Sequence, residues 1–168
     1  MKTAYLALGT NLGDRVQNLA NARRQLANEH MRVVRESSIY ETEPRYFRDQ
    51  PWFLNQVVEI ETDLFPRQLF AHVKKTERTL GRQPTQPNGP RLIDIDILFF
   101  GDAVVNTSDL EIPHPRLAER RFVLEPLVEI APDLRHPVTH RTMSEMLADV
   151  KGQAVRQFNK GDGCEASS

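Results

Sequence analysis

The sequence is poor in the features that mark secreted and membrane proteins. It holds a single cysteine, Cys164, so no internal disulfide can form, which suits a reducing compartment. No apolar run is long enough to span a bilayer. The apolar stretch near the N-terminus is broken by Gly9, Asn11 and Asp14 and is too short for the core of a signal peptide. These absences predict a cytoplasmic protein that does not bind a membrane.

A strong net charge of either sign is also missing. With 22 basic and 23 acidic residues the formal net charge is −1, so we expect no nucleic-acid partner. An anion site must therefore come from a local cluster of basic side chains. The sequence also lacks the Walker GxxxxGK[ST] loop, zinc-ligand spacing and a legible Ser-His-Asp or Cys-His order. A bound nucleotide would have to be held without a P-loop.

What the chain does contain is an alternation of strand and helix patterns. Its 168 residues predict one domain over residues 1–160 and a flexible tail at 161–168. The main predicted elements are strands at 3–9, 31–44, 53–63 and 91–100 and helices at about 14–29 and 66–81. Short helices at 114–130 and 142–149 and short strands at 103–106 and 153–158 follow. This order predicts an α+β fold with a ferredoxin-like β-α-β-β-α-β core, helices on one face of an antiparallel sheet, and additional C-terminal helices and short strands.

Two aspartates stand out in the fourth predicted strand, RLIDIDILFF, which is otherwise apolar. Side chains two residues apart on a strand point the same way, so Asp94 and Asp96 should share a face. The alternate residues should pack against the helices: Ile93, Ile95, Ile97 and Phe99. Neighbouring carboxylates repel each other, and Mg²⁺, which prefers carboxylate and phosphate oxygens, would offset that repulsion. Two such groups can also hold two ions. The alternative is the solvent side of a half-buried strand.

Basic residues lie on both sides of the aspartate pair. Arg82 and Arg91 bracket a polar loop, and the segment IPHPRLAERRF adds one histidine and three arginines, namely His114, Arg116, Arg120 and Arg121. Guanidinium groups match phosphate oxygens and stay charged at any working pH. The pattern indicates a metal-dependent site for a phosphate-rich ligand, although RLAERR alone is more typical of a solvated helix face.

Two long segments rich in proline and polar residues lie between the predicted elements. They run from Glu43 to Trp52 and over residues 82–90. Exposed connectors are one interpretation, and loops that close over a site are the other.

Four motifs together carry a resemblance to a known family. They are LGTNLGDR, YETEP…FLNQV, LGR…NGPRLIDIDILFFG and IPHPRLAERRFVLEPL. From about Thr3 to Pro132 the chain closely resembles the 6-hydroxymethyl-7,8-dihydropterin pyrophosphokinases of folate biosynthesis. The resemblance implies transfer of the β,γ-diphosphoryl group of ATP to the hydroxymethyl group of the reduced pterin, with release of AMP. It also implies two Mg²⁺ ions, ATP as co-substrate, the pterin as second small-molecule substrate, and a monomer.

The resemblance assigns roles to individual residues. Implied metal ligands are Asp94 and Asp96, and implied catalytic residues are these two with Arg82 and Arg91. Implied ATP contacts are Glu77, Arg82, Arg91, Ile97, His114 and Arg120. Implied pterin contacts are Thr42, Pro44, Phe53, Asn55, Asp94 and Phe122. The chain departs from many members at Asn88, where they carry tryptophan, in a loop that is one residue shorter, and near the ribose at Asp109 and Glu111.

Two other classes of function remain open. A metal-dependent nucleotidyltransferase also combines a Gly-Ser/Thr motif with D-x-D, but usually close together, whereas Gly9-Thr10 is far from Asp94 in this sequence. A non-enzymatic ferredoxin-like nucleotide-binding module is the second alternative. Release of AMP, release of pyrophosphate, or binding without turnover would separate the three.

Overall fold

The computed structural model describes residues 1–44, 49–81, 92–150 and 152–158. The predicted tail at 161–168, with Cys164, lies outside this range. In chain order the elements are β1 (Lys2–Thr10), α1 (Arg15–Leu26), β2 (Met31–Glu36), β3 (Tyr40–Thr42), β4 (Phe53–Thr62), α2 (Pro66–Thr79), β5 (Asp94–Phe100), β6 (Val105–Asn106), β7 (Glu111–Ile112), a 3₁₀ turn (Leu117–Glu119), α3 (Arg121–Ile130), α4 (Met143–Asp149) and β8 (Val155–Gln157). Within the described ranges no helix is both long and apolar enough to cross a membrane.

The main sheet confirms the predicted fold class. Its strands lie in the order β5-β1-β4-β3-β8, and β2 pairs with β4 alongside β3. The pairs β1–β4, β1–β5, β2–β4 and β3–β4 are all antiparallel. This is the ferredoxin-like arrangement, in which each crossover helix joins two strands that flank a third. Strand β5 forms one edge of the sheet.

Local sequence signals explain where the two crossover helices begin and end. The side chain of Asp14 accepts a hydrogen bond from the backbone N–H of Gln17 at 3.1 Å and so caps α1. Pro66 occupies the first turn of α2, where its missing N–H costs nothing. Gly81 follows α2 with a φ of +84°, the left-handed conformation that commonly ends a helix.

The sheet packs helices on both faces, each through its own apolar cluster. On the first face, side chains of β1, β4 and β5 pack against α1 and α2, with Leu6, Leu19 and Leu69 fully buried. On the second face, Val57 and neighbours pack against α3 and α4, including Leu127. The one-face prediction therefore holds for α1 and α2, and the C-terminal helices cover part of the other face.

The single strand predicted at 31–44 is wrong, because the chain forms β2 and β3 with an irregular joint between them. Glu36 pairs with Val58 and Tyr40 pairs with Asn55. The segment from Glu36 to Tyr40 advances by four residues, whereas the paired segment of β4 advances by three. Ser37 bridges the joint: its N–H donates to the Val57 carbonyl at 2.9 Å, and its Oγ accepts from the Val57 N–H at 3.0 Å. A serine hydroxyl thus replaces one ladder carbonyl.

The predicted facing of β5 is confirmed for three isoleucines and wrong for Phe99. Leu6 pairs with Ile97, but the preceding residue Tyr5 pairs with Phe99, so Leu98 is an extra residue in β5. This bulge turns Phe99 to the second face, where its ring meets Tyr5 edge-on with centroids 6.5 Å apart. Phe100 takes the place expected for Phe99 in the first cluster. The isoleucines Ile93, Ile95 and Ile97 lie there as expected.

Candidate active site

The aspartate pair lies on the second face of the sheet, next to the part that α3 covers. Asp96 pairs across the sheet with Ala7, and Asp94 pairs with Gly9. Both side chains are half-buried, and that of Asp96 is 43% exposed. The structure therefore puts the two carboxylates on one face, as the period of the strand predicts.

Two basic side chains converge on Asp96. Arg120 NH1 lies 3.7 Å from Asp96 Oδ2, and His114 Nε2 lies 4.0 Å from the same oxygen. The backbone N–H of Arg116 donates to His114 Nδ1 at 3.1 Å, so the ring proton belongs on Nε2, facing Asp96. Burial lowers the pKa of His114, although the nearby Asp96 opposes this. Among the described residues, an imidazole N–H and a guanidinium thus face the carboxylate.

A third carboxylate, Glu77 of α2, supports β5 from the first face. It is 3% exposed, and its Oε2 accepts a hydrogen bond of 2.7 Å from the N–H of Ile95, the residue between the two aspartates. Lys74 Nζ lies 3.2 Å from Glu77 Oε1. Burial raises the pKa of Glu77, against the lowering effect of the Ile95 N–H and of Lys74. In the described structure Glu77 holds the strand that carries the pair.

A cavity of about 330 Å³ opens beside β5, between α2 and the segment 107–115. Its lining includes Ile97 and His114, which were expected near adenosine, together with Asp96 and Lys74. It thus brings one aspartate into contact with a space of nucleotide size.

The rim of the same cavity is acidic, and one of its two carboxylates has a basic partner. Asp109 and Glu111 line it. Arg67 NH2 lies 2.7 Å from Asp109 Oδ1, and hydrogen bonds from Arg67 and Thr107 lower the pKa of Asp109 to about 2.

A second set of predicted residues lies in the next row across the sheet. Asp94 pairs with Gly9, and Gly9 pairs with Asn55 on β4, so these three positions share the second face. Asn55 Nδ2 donates to Thr42 Oγ1 at 2.9 Å, and both residues are buried. A Cβ atom placed on Gly9 would lie 3.0 Å from Asn55 Oδ1, so glycine leaves a floor without a side chain between Asn55 and Asp94.

The two phenylalanines expected around the pterin are Phe53 and Phe122. Phe53 lies two residues before Asn55 on β4 and so on the same face, and Phe122 is the second residue of α3. Both are half-buried rather than enclosed in the core. The Arg120 guanidinium lies 5.6 Å from the centre of the Phe122 ring. Pro44, which was also expected to contact the pterin, is buried.

Arg82, Arg91 and Asn88 lie outside the described residues, as do 45–48 of the first long loop.

Sequence reasoning missed Lys74, although its i,i+3 spacing from Glu77 on a predicted helix was a usable signal. It also missed the role of Gly9 as a floor, which only the pairing of three strands reveals.

Among the described residues no group of three or more histidine, cysteine, aspartate or glutamate side chains converges as a metal cage. Among these residues the candidate metal position has two carboxylates, Asp94 and Asp96. Mg²⁺ binds in this way when phosphate and water oxygens complete its shell.

The fold and site together define an α+β protein with a two-carboxylate, nucleotide-sized site beside a polar floor. The model of the 7,8-dihydro-6-hydroxymethylpterin-pyrophosphokinase (HPPK) family matches residues 5–132, and the chain belongs to this family.

Individual relatives agree with the family match. The chain is 42% identical over 158 residues to a 2-amino-4-hydroxy-6-hydroxymethyldihydropteridine pyrophosphokinase of Methylorubrum extorquens, covering 94% of this chain and 99% of the relative. It is 44% identical over 138 residues to the folic acid synthesis protein fol1 of Pneumocystis carinii, covering 82% of this chain. The match spans only 19% of the length of that fungal protein.

Solved structures show the same fold. The HPPK-DHPS protein of Plasmodium falciparum superposes with a TM-score of 0.68 at 18% identity. The superposition covers 88% of this chain and 43% of that one.

Proposed function

We propose that the chain transfers the β,γ-diphosphoryl group of ATP to the hydroxymethyl group of 6-hydroxymethyl-7,8-dihydropterin, giving AMP and the pterin diphosphate in folate biosynthesis. One observation carries the proposal. The row Asp94–Gly9–Asn55 joins the carboxylate pair, of which Asp96 borders the nucleotide-sized cavity, to a polar floor on the same face of the sheet. Two substrates bound on either side of Asp94 would meet there.

The residues fit Mg²⁺ held by Asp94 and Asp96. Carboxylate oxygens are ligands that Mg²⁺ prefers, and the 43% exposure of Asp96 leaves room for phosphate and water ligands. When bound, Mg²⁺ would neutralise the phosphate charge and polarise the phosphoryl oxygens. Two ions, as the family resemblance implies, belong to the proposal.

The other side chains would bind and orient the triphosphate. Arg120 and His114 lie beside Asp96, where they can donate to phosphate oxygens. Ile97 and His114 would border the adenosine, and Glu77 would hold β5 rather than contact the reacting atoms. By resemblance Arg82 and Arg91 complete the phosphate contacts.

The pterin would lie over Gly9. The Asn55 side chain offers an acceptor and a donor, and its hydrogen bond to Thr42 fixes the amide orientation. Phe53 and Phe122 offer ring faces for a flat heterocycle, and Pro44 adds apolar surface.

In the proposed reaction the hydroxymethyl oxygen forms a bond to the β-phosphorus. The bond from that phosphorus to the oxygen bridging the α-phosphate breaks, AMP leaves with the electron pair, and the hydroxyl proton passes to solvent. Positioning and charge neutralisation carry most of such a transfer. The arrangement of charges around Asp96 supports this account.

The test is incubation of the protein with ATP, Mg²⁺ and the hydroxymethyl dihydropterin, with AMP and the pterin diphosphate as the measured products. We expect both in equal amounts and neither after chelation of the metal. Pyrophosphate with a nucleotidylated acceptor would instead identify a nucleotidyltransferase. Binding of ATP that is indifferent to Mg²⁺, with no turnover, would identify a non-enzymatic module.

A further inference from the structure

A cluster of charged and aromatic residues lies behind the candidate pterin floor, on the first face of the sheet. Glu41 is the middle residue of β3 and pairs with Leu54, which is buried in the first cluster. Its neighbour Thr42 points to the opposite face, toward Asn55. Glu41 therefore cannot touch a pterin that lies over Gly9. The next residue in the chain, Thr42, lies on the face where such a contact is possible.

The Glu41 carboxylate is held by two arginines from distant parts of the chain. Arg156 of β8 donates to Glu41 Oε1 through Nε at 3.1 Å and NH2 at 2.7 Å. Arg15, the first residue of α1, donates to Glu41 Oε2 at 3.1 Å. The Glu41 side chain is 13% exposed, so a charged hydrogen bond here is only partly screened by water.

Both arginines also hold Trp52, the residue that precedes Phe53. Arg15 NH1 donates to the Trp52 carbonyl at 2.8 Å, and the Arg156 guanidinium lies 5.2 Å from the centre of the Trp52 ring. Glu41 and Trp52 thus flank Thr42 and Phe53 in the sequence. One cluster therefore fixes the adjoining ends of β3 and β4.

Backbone pairing with β8 extends the same support. Thr42 pairs with Val155, and past the end of β3 the N–H of Glu43 donates to the Ala154 carbonyl at 3.2 Å. The N–H of Ala154 returns a hydrogen bond of 3.0 Å to Glu43 Oε1. Strand β8 therefore stabilises the part of the sheet that carries the proposed pterin contacts. This part lies away from the cavity beside β5.

We propose that Arg156, through Glu41 and Trp52, is a positioning residue for pterin binding, which sets the spacing of Thr42 and Phe53 without touching the pterin. This inference rests on the proposed function. It predicts a selective effect: weakening the cluster lowers affinity for the pterin and leaves affinity for ATP unchanged, because the nucleotide cavity lies beyond β1 at the other edge of the sheet.

The chain offers a matched control for the test. Arg32 of β2 donates to Glu61 Oε1 through Nε at 3.2 Å and NH2 at 2.7 Å, nearly the geometry of the Arg156–Glu41 pair. The side chains of Arg32 and Arg156 are 69% and 71% exposed. Arg32 pairs with Glu61, which is near the end of β4 opposite to Phe53. The variants Arg156→Gln and Arg32→Gln thus each remove an Arg–Glu pair of similar hydrogen-bond geometry from the same sheet.

The measurements are the dissociation constants of the pterin and of ATP, the KM of each, kcat, and the melting temperature. For Arg156→Gln we expect pterin Kd and KM to rise about three- to tenfold, with those of ATP within about twofold. Arg32→Gln should match the wild type in all of these, and both variants should melt alike. Arg156→Lys, which keeps the charge but loses the planar fork, should recover part of the pterin affinity.

Pterin affinity in Arg156→Gln equal to that in Arg32→Gln would overturn the inference, as would an equal loss for pterin and ATP. A wild-type protein that binds the pterin and releases AMP keeps the proposed function in either case. A wild-type protein that binds no pterin would overturn the proposed function and this inference together.

Discussion

The two faces of the main sheet differ in how far helices cover them. On the first face, the buried apolar side chains of Ala4, Leu6 and Leu8 in β1 pack under α1 and α2. On the second face the apolar cluster reaches Ala7 and Val57 and stops. The next row holds Gly9, with polar neighbours on both flanking strands. The candidate site therefore occupies sheet surface that is not part of the apolar core.

The largest expected effect comes from removing charge at the end of the second face, beyond the apolar cluster of the described residues. Asp96→Ala should lower kcat about 1,000-fold, because the proposed metal loses a ligand and the phosphate contacts lose their alignment. Asp94→Asn should behave similarly. Steady-state AMP release with saturating Mg²⁺ is the measurement, and the melting temperature should stay near that of the wild type.

Asp102, an exposed residue in the turn after β5, supplies the control for these variants. Asp102→Asn should leave kcat unchanged. Near-normal turnover in Asp96→Ala would contradict the assignment of the carboxylate pair.

The next effect compares the apolar parts of the two faces. Leu19 of α1 and Leu127 of α3 are both fully buried, so Leu19→Ala and Leu127→Ala should each lower the free energy of unfolding by about 3 kcal/mol. Urea denaturation measures this loss. Only Leu127→Ala should also raise the pterin KM, because α3 carries Phe122. Equal KM changes in the two variants would show that the faces are not functionally distinct.

A smaller effect is expected at the floor itself. In Gly9→Ala the new methyl group would lie 3.0 Å from Asn55 Oδ1, so the amide must shift and the floor is raised. We expect pterin affinity to fall about tenfold while ATP affinity holds. Titration with each ligand separately measures this. Unchanged pterin affinity would mean that the pterin does not lie over Gly9.

Much of this comparison was readable from the sequence, because its signals are local. The shared face of Asp94 and Asp96 follows from the period of a strand, and the start of α1 from Asp14. The element order predicted the antiparallel sheet. The family resemblance supplied the pterin set, of which Thr42 and Asn55 are joined by a hydrogen bond in the structure.

The features that the sequence did not predict depend on partners far along the chain. The extra residue Leu98 in β5 exists only relative to the pairing with β1, and it moves Phe99 to the second face. The joint at Ser37 likewise exists only relative to β4. Alternation within one strand cannot reveal a bulge, because the bulge is a difference between two strands.

The smallest expected effect concerns the buried carboxylate that supports β5 from the first face. Because burial raises the pKa of Glu77 above its ordinary value of 4.5, the native state binds its proton more tightly than the unfolded state does. Ionised Glu77 therefore costs stability, and the cost grows as pH rises from about 4.5 through the raised pKa. Glu77→Gln keeps an oxygen that can accept from the Ile95 N–H and has no such titration. The free energy of unfolding of the wild type relative to Glu77→Gln should fall as pH rises from 4 to about 7, measured by urea denaturation at each pH. A difference that rises with pH would show that Lys74 and the Ile95 N–H outweigh burial, so that Glu77 acts as a stabilising charge and not as a tolerated one.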